Sequence, residues 1–442
     1  MPFGQRSHRD TLLASERAAD LDFVAGTHPA IGLRALTVHV HLSRLTRFLR
    51  LGPRLEEARH VEPYVEPHPV VTIVVEIVDH FVASFYSRGH MRAVTVNSRC
   101  DMRRRVMLAV TMVIAAIVAL SAADEGPYRQ LKEMPIGGEG GWDYLNVDSG
   151  AKRLYVSHGT KVVVIDTGND SIVGEIADTP GVHGAIAAWN GKVVTSNGRE
   201  NKASIVDAAT LKTIQKVDTE ANPDFIMFEP KQKEVYTFNG GGKSASVIDA
   251  SGKVVATIPL GGKPEAGVPD PAAGRVYVNN ETGNEIIVID VAKHEVAARW
   301  PIAPGESAAG LAIDTKNHRL FIGAHNSKML MMDSTNGKII AEVPIGAGVD
   351  ATWFDPGTGY AFSSCGDGTT TIAHEDSPDK LTLVQKLQTA RGARTMALDP
   401  ATHKIYLAAA KYQPQPADAP ANARPQMIPG SMFLLVYGIE KK

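Results

Sequence analysis

Val276-Tyr277-Val278-Asn279-Asn280, followed by Ile287-Val288-Ile289-Asp290, is the stretch on which the fold turns. Both runs are β-branched and aromatic, the composition of pleated strands. The second ends in an apolar-apolar-Asp triplet. That triplet recurs at Val164-Ile165-Asp166, Ile205-Val206-Asp207, Val247-Ile248-Asp249 and Met331-Met332-Asp333, with Asp spacings of 41, 42, 41 and 43. One period further, Ile372-Ala373-His374 keeps the spacing of 41, and Leu435-Val436-Tyr437 follows 63 residues later. A second mark lies about ten residues upstream of most triplets: Leu154-Tyr155-Val156, Val193-Val194-Thr195, Val235-Tyr236-Thr237, Leu320-Phe321-Ile322, Ala361-Phe362-Ser363 and Ile405-Tyr406-Leu407. With Val276-Tyr277-Val278 this makes seven units.

Turn pairs such as Asn336-Gly337, Ser251-Gly252 and Asn190-Gly191 separate the runs, so each unit reads as an antiparallel meander of four short strands. A lone four-stranded sheet cannot bury both faces and must stack on neighbours around an axis. The chain is therefore expected to be all-β, a seven-bladed β-propeller. Residues 128–137, Tyr-Arg-Gln-Leu-Lys-Glu-Met-Pro-Ile-Gly, match the outermost strand of an internal unit, residues 337–346, Gly-Lys-Ile-Ile-Ala-Glu-Val-Pro-Ile-Gly. The last unit, ending at Met432 to Ile439, lacks its own copy, which predicts that the N-terminal strand closes blade 7.

The units around Val276-Tyr277-Val278-Asn279-Asn280 and Leu154-Tyr155-Val156-Ser157 resemble the YVTN-repeat, or YncE-like, β-propeller family, over essentially all of residues 128–440. The resemblance implies the propeller fold and an extracytoplasmic binding or surface role. Blades two, six and seven depart from the pattern, with Val194 in place of the aromatic, His374 in place of the Asp, and a long insert.

Upstream of the repeats the composition changes. All 22 lysines follow residue 101, whereas 12 of 24 arginines and 8 of 15 histidines, but only 5 of 40 glycines, lie within the first 101 residues. Packing gives no reason for such a split, so residues 1–101 read as a non-native extension or a disordered tail. Met102, Arg103 to Arg105, an uncharged run from Val106 to Ala123 and the small residues Ser121-Ala122-Ala123 then read as a secretory signal peptide over 102–123. Uncleaved, the same run would serve as a membrane anchor. Either way residues 124–442 are expected in the periplasm or secreted, with membrane contact only through 106–123.

Those 319 residues carry 31 basic and 37 acidic side chains. A net acidic domain without a basic patch argues against nucleic acid as a partner. Cys365 is its one cysteine, which excludes an internal disulfide. A monomer is expected.

In a four-stranded meander the approach to strand A and the B–C turn lie at the same end, so their residues converge on one mouth of the central channel. Five residues before the end of each A strand stand Asp143, Asp224, Glu265 and Asp350, with Arg394 in the last unit and His183 at the matching place in the second. The B–C side contributes His158, Asn197, Asn239, Asn280 and Cys365, with His325 one place later. Trp142, beside Asp143, is a candidate stacking surface. Carboxylates and histidines so placed suit a cation, a cationic ligand or a borderline metal. The competing reading is that Asp and Asn at strand ends cap backbone amides. The insert Lys411 to Gly430, with five prolines, overhangs the same mouth as a lid, a partner-binding loop or a plain excursion.

Two functions compete. One is an extracytoplasmic module that binds a small ligand or a protein through the mouth. The other is a cofactor- or metal-dependent oxidoreductase or hydrolase. No Cys-x-x-Cys-His, Gly-x-Ser-x-Gly or periodic tryptophan motif supports the second, and the sequence names no cofactor and no catalytic residue.

Overall fold

A computed structural model describes residues 126–414 and 426–439. The extension 1–101, the signal segment 102–123 and the centre of the Pro-rich insert lie outside the described residues.

The described chain forms seven four-stranded antiparallel sheets. Lettered from the axis outward, strands A to D of blade 1 are Leu145–Asp148, Arg153–His158, Lys161–Asp166 and Ser171–Ile176. Blades 2 to 6 repeat this over residues 182–218, 223–259, 264–301, 308–344 and 349–388. Blade 7 consists of Met396–Asp399, Lys404–Ala409 and Phe433–Ile439, and its D strand is Tyr128–Pro135, with Tyr128 opposite Ile439. The A strands adjoin one another around the ring, that of blade 7 meeting that of blade 1. Among the described residues there is no α-helix, only a 3-10 turn at Gly198–Glu200.

Alternation along the strands builds the core. In blade 1, Leu154, Val156, Val163 and Ile165 pack against Tyr406, Leu434 and Val436 of blade 7. Their neighbours Tyr155, Val162 and Val164 pack against Val182, Ala185 and Val193 of blade 2. Both faces of every sheet are covered, which explains why these strands read as continuous apolar runs.

The Asp of each triplet stands at or just past the end of strand C and satisfies the turn that follows. Asp166 accepts the amide of Gly168 at 2.8 Å, Asp207 that of Thr210 at 2.9 Å, and Asp333 that of Thr335 at 2.8 Å. These turn amides hold the carboxyls of Asp166 and Asp207 below the usual range, and the turn's Thr335 does the same for Asp333 against its partial burial. The acids are structural.

Every D strand carries one extra residue at the same place. Val173, Ile214, Val255, Ala297, Ile340, Val384 and Leu131 are the residues skipped by the C–D pairing of blades 1 to 7. The N-terminal strand shares this bulge, so it is a D strand in register as well as in position.

Candidate functional site

A second set of bulges lies at the axis. In blades 2, 3, 5 and 6 the A–B pairing skips His183, Asp224, Ala309 and Asp350, and in blade 4 it skips Glu265 with Ala266. In blades 1 and 7, Asp143 and Arg394 stand just ahead of the short A strands. A bulge takes its residue out of the ladder and re-aims its side chain. Polar residues on neighbouring B strands pin these irregular backbones: Ser196 Oγ donates to the carbonyl of Asp224 at 2.9 Å, Asn279 Nδ2 to that of Ala309 at 2.9 Å, and Ser157 Oγ accepts the amide of Asp143 at 2.8 Å.

The rim is tied as well. In blades 1 to 6 the B–C turn donates an amide back to the approach loop of its own blade: Gly159 to Gly141, Gly198 to Gly181, Gly240 to Asn222, Glu281 to Lys263, His325 to Glu306 and Gly366 to Gly348, all at 2.8 to 3.0 Å. Asn239, fully buried, secures one turn from inside through Ser244 (3.2 Å) and Ser246 (3.0 Å).

Blades 1 to 4 form an acidic side. His183 Nδ1 lies 2.6 Å from Asp143 Oδ2 and 3.1 Å from Asp224 Oδ1. Burial opposes a charged imidazole there, but the Asp143 hydrogen bond and the two carboxylate charges prevail and raise His183 to about 9. Burial pushes Asp224 up to about 6, with His183 opposing and Asp143 assisting. Lys263 contacts Glu265 and reaches Glu281 Oε2 at 2.7 Å. Burial and then the charge of Asp224 push Glu265 up to about 8 in spite of Lys263. Tyr144 crosses from blade 1 to donate to Glu265 Oε2 at 3.3 Å, its ring packed edge-on against Phe225. Burial and the carboxylates of Glu265, Asp350, Asp143 and Asp224 hold this phenol protonated far above its usual range. It also lines the channel cavity, of about 360 Å³.

Blades 5 to 7 form a more basic side. Arg394 pairs with Asp350, and His325, Arg391 and Tyr412 join them around a pocket of about 430 Å³. Burial and the Asp143 charge push the Asp350 carboxyl up, against the pull of Arg394. Tyr412 begins the Pro-rich insert, whose two ends run together: Gln413 donates to Gln426 at 2.7 Å and Ile428 to Lys411 at 2.8 Å.

Seven of the nine residues singled out by sequence, Asp143, His183, Asp224, Glu265, His325, Asp350 and Arg394, thus fall on the rim ring or its pocket. The other two have local partners. His158 is fully buried and its Nε2 donates to the carbonyl of Gly137 at 2.9 Å, holding the loop after the closing strand. Trp142 packs partly buried against the core shared by blades 1 and 7. Cys365 is buried, and burial pushes its thiol up to about 12. Sequence reasoning missed Tyr144, Asn222, Lys263, Glu281, Arg391 and Tyr412. Closeness to a ring position could have flagged Tyr144 and Lys263, and Tyr412 belongs to the insert expected over the mouth.

No protein-family model matches the chain. Over 132 residues it is 30% identical to the uncharacterized protein YncE of Salmonella typhimurium, a match over 28% of this chain and 37% of that protein. The chain therefore spans little more than a third of the curated relative it matches. Among solved structures it resembles a chain of Kuenenia stuttgartiensis hydrazine synthase, with a TM-score of 0.55 and 15% identity over 62% of this chain and 92% of that one. A chain of a mitotic checkpoint complex aligns with a TM-score of 0.56 and 12% identity over 63% of this chain and 88% of that one. At such identities these two show the fold alone. The recurring repeats and the seven closed blades make this chain a seven-bladed β-propeller, similar over part of its length to YncE.

Proposed function

We propose that the chain is an extracytoplasmic binding module that takes a small anionic ligand at the channel mouth. The observation that carries this is the rim pocket of about 430 Å³, where His325, Arg391, Arg394 and Tyr412 face a single carboxylate, Asp350. Guanidinium groups offer paired donors that fit a carboxylate or phosphate. Tied turns hold the rim in place before the ligand arrives, which reduces the entropy lost on binding. The location rests on the basic, apolar and small-residue sequence of 102–123.

Titrating the purified full chain with a panel of small carboxylates and phosphates by calorimetry tests the reading. At least one should bind saturably, and Arg391→Ala should weaken it about tenfold to hundredfold, the loss of one charge-assisted contact. Cell fractionation checks the location. Silence across the panel, or binding indifferent to Arg391, rejects the pocket, and a chain retained in the cytoplasm rejects the export reading.

A further inference from the structure

Beside that pocket along the rim, three consecutive blades each deliver one metal-ligating side chain to one point. Asp143, His183 and Asp224 present ligand atoms that all lie within 4.8 Å of one another. They occupy the same ring position in blades 1, 2 and 3, so the convergence follows from the repeat and the bulges, not from an unconstrained surface cluster. Their side chains are only 18%, 27% and 13% exposed, enough to admit an ion while most of its shell is protein.

The imidazole is oriented by its surroundings. Nδ1 points between the two carboxylates. Nε2 and the Asn222 side chain both lie beside Gly198, where a Cβ would come within 2.6 Å of Asn222 Oδ1 and of His183 Nε2. An acceptor beside the far nitrogen is the usual second shell of a ligating histidine, and a cation at Nδ1 would displace the proton that this atom shares with Asp143. Asn222 is itself fixed, its amide held by Asn201 Oδ1 at 2.8 Å and its carbonyl by Gly240 at 2.8 Å.

We infer that Asp143, His183 and Asp224 form a binding site for a first-row divalent cation, with its remaining coordination positions open to the channel mouth. One imidazole and two carboxylates make a borderline donor set, which suits zinc, manganese or iron(II) better than calcium, whose preferred shell is all oxygen. Two carboxylates also neutralise a divalent charge. The inference is separate from the anion pocket: neither site shares a residue with the other.

The test uses the full chain stripped with EDTA, dialysed and titrated with ZnCl2 by calorimetry, with Co2+ as a visible-absorption probe. Saturable binding of one Zn2+ per chain is expected, weakened about a hundredfold or more in the Asp143→Asn/Asp224→Asn double variant. The Co2+ spectrum should change in His183→Gln. Melting curves without metal check that the variants fold. Should they not fold, anomalous diffraction from Zn2+-soaked wild-type crystals decides, with a peak expected between the three side chains. Absence of saturable binding, binding unaltered in folded variants, a peak elsewhere, or Ca2+ binding as tightly as Zn2+ overturns the assignment. Failure here leaves the Arg391 result untouched, and the reverse holds.

Discussion

Glu375, in strand C of blade 6, shows how a single buried carboxyl makes this fold sensitive to pH. Burial and the facing carboxylate of Asp314 push it up to about 7, while Asn317 Nδ2 donates to it at 3.1 Å and Arg319 opposes the shift. The ordinary value is 4.5. Between those values the folded chain keeps a proton that the unfolded chain releases. The associated stability is therefore complete below pH 4.5 and is lost as pH rises through about 7. Glu375→Gln, neutral at every pH, should gain in melting temperature relative to the natural chain as pH is raised from 5 to 8. A difference that stays constant over that range would contradict the assignment. At the same scale, the ring residues were legible because the backbone repeats: counting five residues back from the end of strand A finds Asp143, His183, Asp224, Glu265, Asp350 and Arg394. What counting cannot give is where a side chain points. Trp142 and Asp143 are neighbours in sequence, yet one packs into the core and the other meets His183.

The strand that closes the ring sets the stability of the whole from one element. Tyr128 is fully buried, packs edge-on against Phe362 of blade 6 at 5.2 Å, and donates its hydroxyl to the carbonyl of His403 at 2.8 Å. Its amide and carbonyl pair with Gln385 at 3.0 Å each. Tyr128→Ala should cost about 3–5 kcal/mol, the range for a buried aromatic, read from urea unfolding. Deleting residues 128–136 should lower the melting temperature further, because it also bares the edge of Phe433–Ile439. An unchanged transition in either case would mean that the ring is not held by this strand. The closing role was legible because residues 128–137 copy an internal D strand. The bulges were not, since an extra residue in a ladder leaves no mark in a pattern of apolar runs until the pairing partners are known. Repeated seven times, the outer bulges bend each exposed edge, and this discourages pairing between molecules although Leu131, Val173, Ile214 and Val255 remain exposed there.

For the molecule as a whole, the seven-fold repeat means that the chain ends are a matter of order along the chain and not of architecture. Tyr128 and Ile439 face each other across an antiparallel pair, the geometry a short hairpin turn spans. A permuted chain with these ends joined by such a turn, and new ends opened in the D-to-A link between blades 4 and 5, should unfold in a single transition and retain Zn2+ binding. Loss of cooperativity would show that closure by the native ends matters beyond the contacts they make. The propeller was readable because periodicity, turn chemistry and closure agreed. The division of its mouth into an acidic and a basic side was not, because it depends on Lys263, Glu281, Arg391 and Tyr412, which follow no repeat.

The pairing of Tyr128–Pro135 with Phe433–Ile439 also fixes a sequence in time. Among the described residues, the first strand to leave the ribosome waits for the last, some 300 residues later, which at about 5–20 residues per second is roughly 15–60 s. Until then every nascent chain carries six or fewer finished blades and two open edges. The same contact that seals the finished ring makes it the slowest to be satisfied, so the window for mispairing during synthesis is as long as the propeller itself.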